Sequence, residues 1–206
     1  MSFCLIILAG GNSHRFRSNI GKPYQKIAGK SLVEINVDKA RQFKQIKKII
    51  LVYNKKDSKR VKSLKLKNVK LILGGKRQEI TIIFTDLEKF TELIEQTEPS
   101  IILPILNNYL DGLCKLVLKH GGTIDKIIGD ALLAFFGAPI ENPKHCLSAM
   151  NCALEIDFFC RKFREKQIHN KLKFGNTRIA VHTGKAIVGN FGGESFFDYT
   201  VQGDLV

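Results

Sequence analysis

Apolar positions along the chain fall into short unbroken runs and into stripes spaced as on one face of a helix, and the two patterns alternate. Phe3–Ala9 is a continuous apolar run, which predicts a buried strand of the parallel-sheet kind. A helix is expected over residues 32–42, a second strand over 48–53, a short basic helix or loop over 55–65, and a third strand over Val69–Leu73, closing on Gly74-Gly75. Strand, helix, strand at this spacing makes a βαβ unit. Beyond it, residues 80–84 read as a strand ending in Thr85-Asp86, and 88–96 as a helix. Pro99 takes a favoured first-turn position of a second helix reaching about His120, with Pro104 expected to bend it and Gly121-Gly122 to cap it. Two apolar runs, 124–128 and 131–136, flank Gly129-Asp130 as the strands of a β-hairpin flank its corner. A long amphipathic helix follows over 143–167, its apolar stripe running through Cys146, Met150, Ala153, Leu154, Phe158 and Phe159. Separate strands are expected at 178–182, 186–189 and 196–201.

The 206 residues leave room for one large or two small domains, and 44% hydrophobic with 25% charged residues is ordinary for a globular protein. No apolar run is expected to be long enough to cross a membrane, and MSFCLIILAGG has no basic leader region. Five cysteines without a CxxC pair point to free thiols in a reducing, cytoplasmic setting; Cys152 and Cys160 are expected to pack rather than react. Charge divides the chain. Residues 1–79 hold 20 Lys and Arg against 4 Asp and Glu, whereas 80–206 hold 13 against 15, so the whole +14 excess lies in the first segment. A step this sharp near Glu79-Ile80 marks two units. The lysines read as a solvated face rather than a nucleic-acid platform, because few aromatic residues interleave with them.

Two carboxylates carry the candidate chemistry. An Asp at a Gly-Asp hairpin corner projects from one end of its sheet, and Asp86 stands at the end of a strand. If those strands are neighbours, Asp86 and Asp130 converge with the chemistry to hold Mg²⁺ beside a triphosphate. The plainer alternative is that Asp86 caps a helix and Asp130 only makes a turn. In the first segment, Gly10 and Gly11 follow a strand and would let backbone approach a phosphate, with Arg15 as a fork-shaped donor; a glycine pair after a strand is also a plain turn.

LAGGNSHRF, KPYQKIAGKSL and GGKRQ together resemble the start of a nucleoside-triphosphate transferase, the cytidylyltransferase that acts on methylerythritol phosphate in isoprenoid synthesis. The resemblance implies a Rossmann-like fragment over 1–79 whose Gly10-Gly11 loop wraps CTP phosphates, with Arg15 and Lys22 stabilising charge at the α-phosphate. The family writes Pro-Lys-Gln where this chain has Gly21-Lys22-Pro23-Tyr24.

FTDLEKFT, GGTIDKIIGDALLAFFGAP, RIAVHTGKAIVGNFG and DYTVQGD, in that order, resemble the class III nucleotide cyclase catalytic domain over residues 80–206. The resemblance implies a ferredoxin-like α+β domain that works as a head-to-tail dimer, as a homodimer or with a complete cyclase chain. It implies two Mg²⁺ or Mn²⁺ ions held by Asp86, Asp130 and the carbonyl of Leu87, and phosphates facing amides from Leu87 to Thr91, Phe90 among them. Lys89 stands where the family often has Gly. Adenine offers ring-nitrogen acceptors and an amino donor, which a lysine and a threonine oxygen can meet. Lys126 and Thr200 stand where the resemblance places base recognition, and this pair implies ATP over GTP; read without it, they are a surface strand residue and a β-former. The family pattern continues past Gly203-Asp204 with Val, Asn and an Arg four residues beyond, where Val206 closes this sequence, so the resemblance implies an incomplete domain and a weak or inactive enzyme. Three functions are thus expected in turn: an adenylyl cyclase-type domain, a cytidylyltransferase relative using CTP, or a non-catalytic chimeric fragment.

Overall fold

The computed structural model describes residues 3–9, 20–192 and 197–204. The chain divides into two compact units, Met1–Arg77 with Ile187–Val201, and Gln78–Ala186 with Gln202–Val206.

In the first unit β1 (Phe3–Ala9) precedes a two-stranded hairpin of β2 (Lys26–Ile27) and β3 (Lys30–Ser31), then α1 (Leu32–Arg41), β4 (Ile46–Tyr53), α2 (Ser58–Ser63) and β5 (Val69–Leu73). A capping box fixes the start of α1: Ser31 Oγ accepts from the Glu34 amide at 3.2 Å, and the Glu34 carboxylate accepts from the Ser31 amide at 2.7 Å. The strands run parallel in the order β1-β4-β5, with Ala9 opposite Tyr53 and Tyr53 opposite Leu73. The βαβ expectation therefore holds. The buried strand, however, is β4, whose Ile49–Tyr53 stretch is wholly inside. β1 lies at the edge, with Phe3 and Cys4 exposed and only Ala9 buried, because a three-stranded sheet has one interior position. Val33, Val37 and Ala40 of α1 pack on Leu51 and Tyr53, and the Tyr24 hydroxyl donates to the Ala9 carbonyl at 3.2 Å.

The second unit begins on β6 (Lys76–Leu87) and continues through α3 (Phe90–Gln96), α4 (Pro99–Lys119), β7 (Thr123–Ile128), β8 (Ala131–Phe136), α5 (His145–His169) and β9 (Thr177–Gly192). Its strand order is β9-β6-β8-β7, with β6, β8 and β7 antiparallel. One core forms where Ile83 and Leu87 of β6 and Leu132, Ala134 and Phe136 of β8 meet Tyr109, Leu113 and Val117 of α4 and Ala149, Cys152 and Ile156 of α5. α4 ends in a Schellman motif: Gly121 has φ +76°, its amide donates to Leu118, and the Gly122 amide donates to Val117 at 2.9 Å. Among the described residues α4 is long and apolar enough to cross a membrane by length and composition alone, which does not make it a clear membrane span. Asn107, Asn108, Asp111 and Lys115 interrupt its apolar run in the sequence, while Ile102, Tyr109, Leu113 and Val117 pack inward.

Two further expectations change. The apolar stripe of α5 runs through Ala149, Cys152, Ala153, Ile156 and Cys160, whereas Cys146, Met150, Leu154 and Phe158 are exposed. Apolar residues occupy more than one face of this helix, so periodicity alone cannot choose between them. All five thiols are free, and burial pushes the Cys152 thiol up to about 12. The strands expected at 178–182 and 186–189 are one continuous β9, in which Gly184 does not break the ladder. β9 extends from Ile187 to Gly192 into the first unit, where β10 (Phe197–Gln202) pairs with it and the Gly75 amide donates to Val188 at 3.1 Å. A polar node fixes the start of α5: the Thr81 hydroxyl lies 2.8 Å from His145 Nδ1 and 2.7 Å from the Thr183 hydroxyl.

Candidate active site at the ends of β6 and β8

Antiparallel pairing sets Thr85 opposite Leu132, so Asp86 reaches the end of its strand where the β7–β8 hairpin turns. Gly129 holds that turn at φ +63°, a conformation glycine adopts without strain. The next residue, Asp130, is buried, and its Oδ2 accepts the Leu87 amide at 2.6 Å. One hydrogen bond thus ties the hairpin corner to the strand end that carries Asp86. The Thr85 hydroxyl accepts the Leu132 amide at 3.2 Å and fixes the same register from below. Asp86, Leu87 and Asp130 are therefore gathered on two adjoining strand ends.

Asp86 keeps about a third of its side chain exposed, at 35%, and its Oδ2 accepts from the Arg178 guanidinium. No role was assigned to Arg178 from sequence; it lies 92 residues from its partner, and only its position at the start of the RIAVHTG block could have drawn attention to it. Next to it, the Glu88 amide donates to the Asn176 carbonyl at 2.8 Å and Asn176 Nδ2 donates to Glu88 Oε2 at 3.0 Å. The Asn176 hydrogen bond holds the Glu88 carboxyl below its usual range. The expectation that amides from Leu87 onward face a phosphate is corrected for Leu87 and Glu88, whose N–H groups are taken by Asp130 and Asn176. Lys89 follows at φ +58°, the left-handed conformation. That is the physical reason a glycine suits this position, since a side chain there costs about 1 kcal/mol. α3 starts at Phe90 and Thr91, one residue later than Lys89 and two later than the sequence suggests.

Lys126 lies on β7 just after a bulge at Asp125, where the register passes from Ile124 opposite Ala134 to Lys126 opposite Leu133. Its side chain is 40% exposed and its Nζ lies 3.2 Å from Asp125 Oδ1. Thr200 is buried on β10 in the first unit. Lys22 is exposed in a turn of 3-10 helix, Lys22–Tyr24, while Gly10, Gly11 and Arg15 lie outside the described residues. The second unit also carries a groove of about 920 Å³ running from Glu88 and Lys89 past Arg164 to Phe174; neither Asp86 nor Asp130 lines it. Among the described residues no group of three or more His, Cys, Asp and Glu gathers, so the donor set at the strand ends is two carboxylates with main chain.

The family model described as "Adenylate and Guanylate cyclase catalytic domain" matches residues 74–206, more than half of the chain. The chain belongs to this cyclase family. A second family model, "2-C-methyl-D-erythritol 4-phosphate cytidylyltransferase", matches residues 3–92 and overlaps the cyclase domain over 74–92. Adenylate cyclase 1 of Rhizobium meliloti is 35% identical to this chain over 136 residues, 65% of this chain and 20% of that protein. The bifunctional enzyme IspD/IspF of Pelagibacter ubique is 50% identical over 76 residues, 37% of this chain and 20% of that protein. The chain thus spans about a fifth of the length of these curated relatives. The crystal structure of the guanylyl cyclase Cya2 superposes on this chain with a TM-score of 0.59 at 34% identity, covering 64% of this chain and 67% of that one. The mixed α/β architecture expected from the sequence, a nucleotidyltransferase-like start followed by a cyclase domain, is thereby established. Both families are typically metal-dependent.

Proposed function

We propose that the ends of β6 and β8 bind a metal–ATP complex and serve its cyclisation to cyclic AMP, the ribose 3′-oxygen bonding to the α-phosphorus as the bond to the pyrophosphate leaving group breaks. The observation that carries this reading is the Asp130–Leu87 hydrogen bond, which draws the two carboxylate-bearing strand ends together. The donors suit a hard cation: carboxylate and carbonyl oxygens are the ligands Mg²⁺ and Mn²⁺ take, and Asp86 already holds a cation, the Arg178 guanidinium. When bound, two such ions neutralise the triphosphate and activate the attacking hydroxyl.

The chain's own groups have distinct duties. Asp86, Asp130 and the Leu87 carbonyl hold the cations; Phe90 and Thr91, opening α3, offer main-chain donors to the phosphates. Lys126 donates to the adenine ring nitrogens and Thr200 accepts from the amino group. In a head-to-tail dimer these two serve the nucleotide held by the partner's carboxylates. The five unpaired cysteines support a cytoplasmic setting. The first unit, on the strength of the 50% identity to the IspD/IspF enzyme, favours a second reading in which Gly10, Gly11, Arg15 and Lys22 bind CTP.

Base choice is tested by the double variant Lys126→Glu with Thr200→Cys. A carboxylate accepts where the ammonium donates, so the preference between non-hydrolysable ATP and GTP analogues is expected to invert, by about tenfold or more in their affinity ratio. An unchanged ratio removes both residues from base recognition.

A further inference from the structure

β7 departs from a regular strand at one place. Ile124 stands opposite Ala134 and Lys126 opposite Leu133, so Asp125 is an extra residue without a counterpart on β8. In a regular strand neighbouring side chains point to opposite faces of the sheet. A bulge breaks that alternation and re-aims the side chains beside it. Asp125 and Lys126 meet although they are neighbours in the sequence: Asp125 Oδ1 lies 3.2 Å from Lys126 Nζ. The two ends of this ion pair differ. The Asp125 side chain is wholly shut off from water, whereas the Lys126 side chain keeps a partly exposed end that can meet a ligand.

We infer that Asp125 is a positioning residue for recognition of the nucleotide base: its buried carboxylate holds the Lys126 ammonium in one place, and adenine is preferred because the donor stays there. This rests on the reading of Lys126 as the donor to the adenine ring. A lysine side chain is a flexible four-carbon stem ending in a point charge, so by itself it selects no direction. Left loose, it would turn to a triphosphate as readily as to a ring nitrogen. A carboxylate shut off from water is costly unless an opposite charge stays beside it. Asp125 therefore keeps Lys126 near, and its negative charge offsets the pull of phosphates on the ammonium. With no exposed side-chain atom of its own, Asp125 acts on a nucleotide only through Lys126.

The effect is modest, because the lysine end of the pair is partly in solvent: about fivefold in the ratio of affinities for ATP and GTP analogues, the factor one such ion pair supplies. Binding of Mg²⁺–tripolyphosphate, which carries no base, is not expected to weaken when the pair is broken.

The probes are non-hydrolysable ATP and GTP analogues with Mg²⁺, and Mg²⁺–tripolyphosphate, titrated calorimetrically into the full chain. Asp125→Asn, which keeps the shape of the side chain and removes its charge, is expected to lower the ATP-to-GTP preference about fivefold without weakening tripolyphosphate binding. A merely structural defect would weaken all three ligands together and leave the ratio where it was, and that result overturns the positioning role. In a Lys126→Met background Asp125→Asn is expected to leave the ratio unchanged; a further fall there means that Asp125 does not act through Lys126. If Lys126→Met shifts the ratio but Asp125→Asn does not, the positioning role is overturned while the base reading stands. If Lys126→Met leaves the ratio unchanged, Lys126 does not read the base and both readings fall together. Should Asp125→Asn not fold, nitrogen NMR relaxation of the lysine ammonium groups in the unsubstituted chain decides: Lys126 is expected to be among the most ordered, and an ammonium as mobile as that of the exposed Lys171 overturns the holding role.

Discussion

Asp130→Ala is expected to abolish metal-dependent binding of an ATP analogue and to lower the stability of the fold by about 2 kcal/mol, the cost of leaving a buried N–H without its acceptor. The two losses share one cause. Asp130 is buried, and its Oδ2 is the acceptor for the Leu87 amide, so its removal both deletes a cation-holding carboxylate and unties the hairpin corner from β6. Asp86→Ala should abolish binding as completely while costing the fold less than about 1 kcal/mol, because its contact is a partly exposed ion pair with Arg178. Nucleotide titrations with and without Mg²⁺, paired with urea unfolding of each variant, separate the two effects. Equal destabilisation by both substitutions would show that the Asp130–Leu87 bond does not fasten the site.

Gly175→Ala is expected to cost about 3 kcal/mol, at the upper end for a residue forced into filled space. The added methyl group meets main chain, the Glu88 carbonyl, rather than the end of a mobile side chain. Relief requires the start of β9 to move off the segment carrying Asp86, Leu87 and Glu88, which breaks the Asn176–Glu88 pair of hydrogen bonds. Metal-dependent nucleotide binding should fall with stability, although Gly175 belongs to neither carboxylate. Unfolding midpoints and the same nucleotide titration test this; a variant as stable as the unsubstituted chain would mean that the close approach of Gly175 to Glu88 is not tight in solution.

Local signals were the legible ones. The β7–β8 hairpin was readable because a Gly-Asp corner between two β-rich runs allows few other structures, and the end of α4 because Gly121 can take a positive φ. Features that depend on what lies across the fold were not readable. β1 has the apolar run of a buried strand, yet it lies at an edge, since a strand's own residues do not say how many neighbours it has. The inward stripe of α5 could not be chosen from its spacing, as both Leu154 and Ile156 sit on helical repeats but only Ile156 meets the core. At the site, the aspartates announced themselves by their place on strand ends. Their partners did not: the Leu87 amide and Arg178 come from 43 and 92 residues away, and pairing at such separation is a property of the sheet.

The most direct test of a metal–ATP site at Asp86 and Asp130 is calorimetric titration of the chain with a non-hydrolysable ATP analogue, with and without Mg²⁺ or Mn²⁺, beside GTP and CTP analogues. Binding that requires the metal and favours the ATP analogue is the predicted result. Binding of the ATP analogue that is indifferent to metal, or metal-dependent binding confined to the CTP analogue, would contradict it.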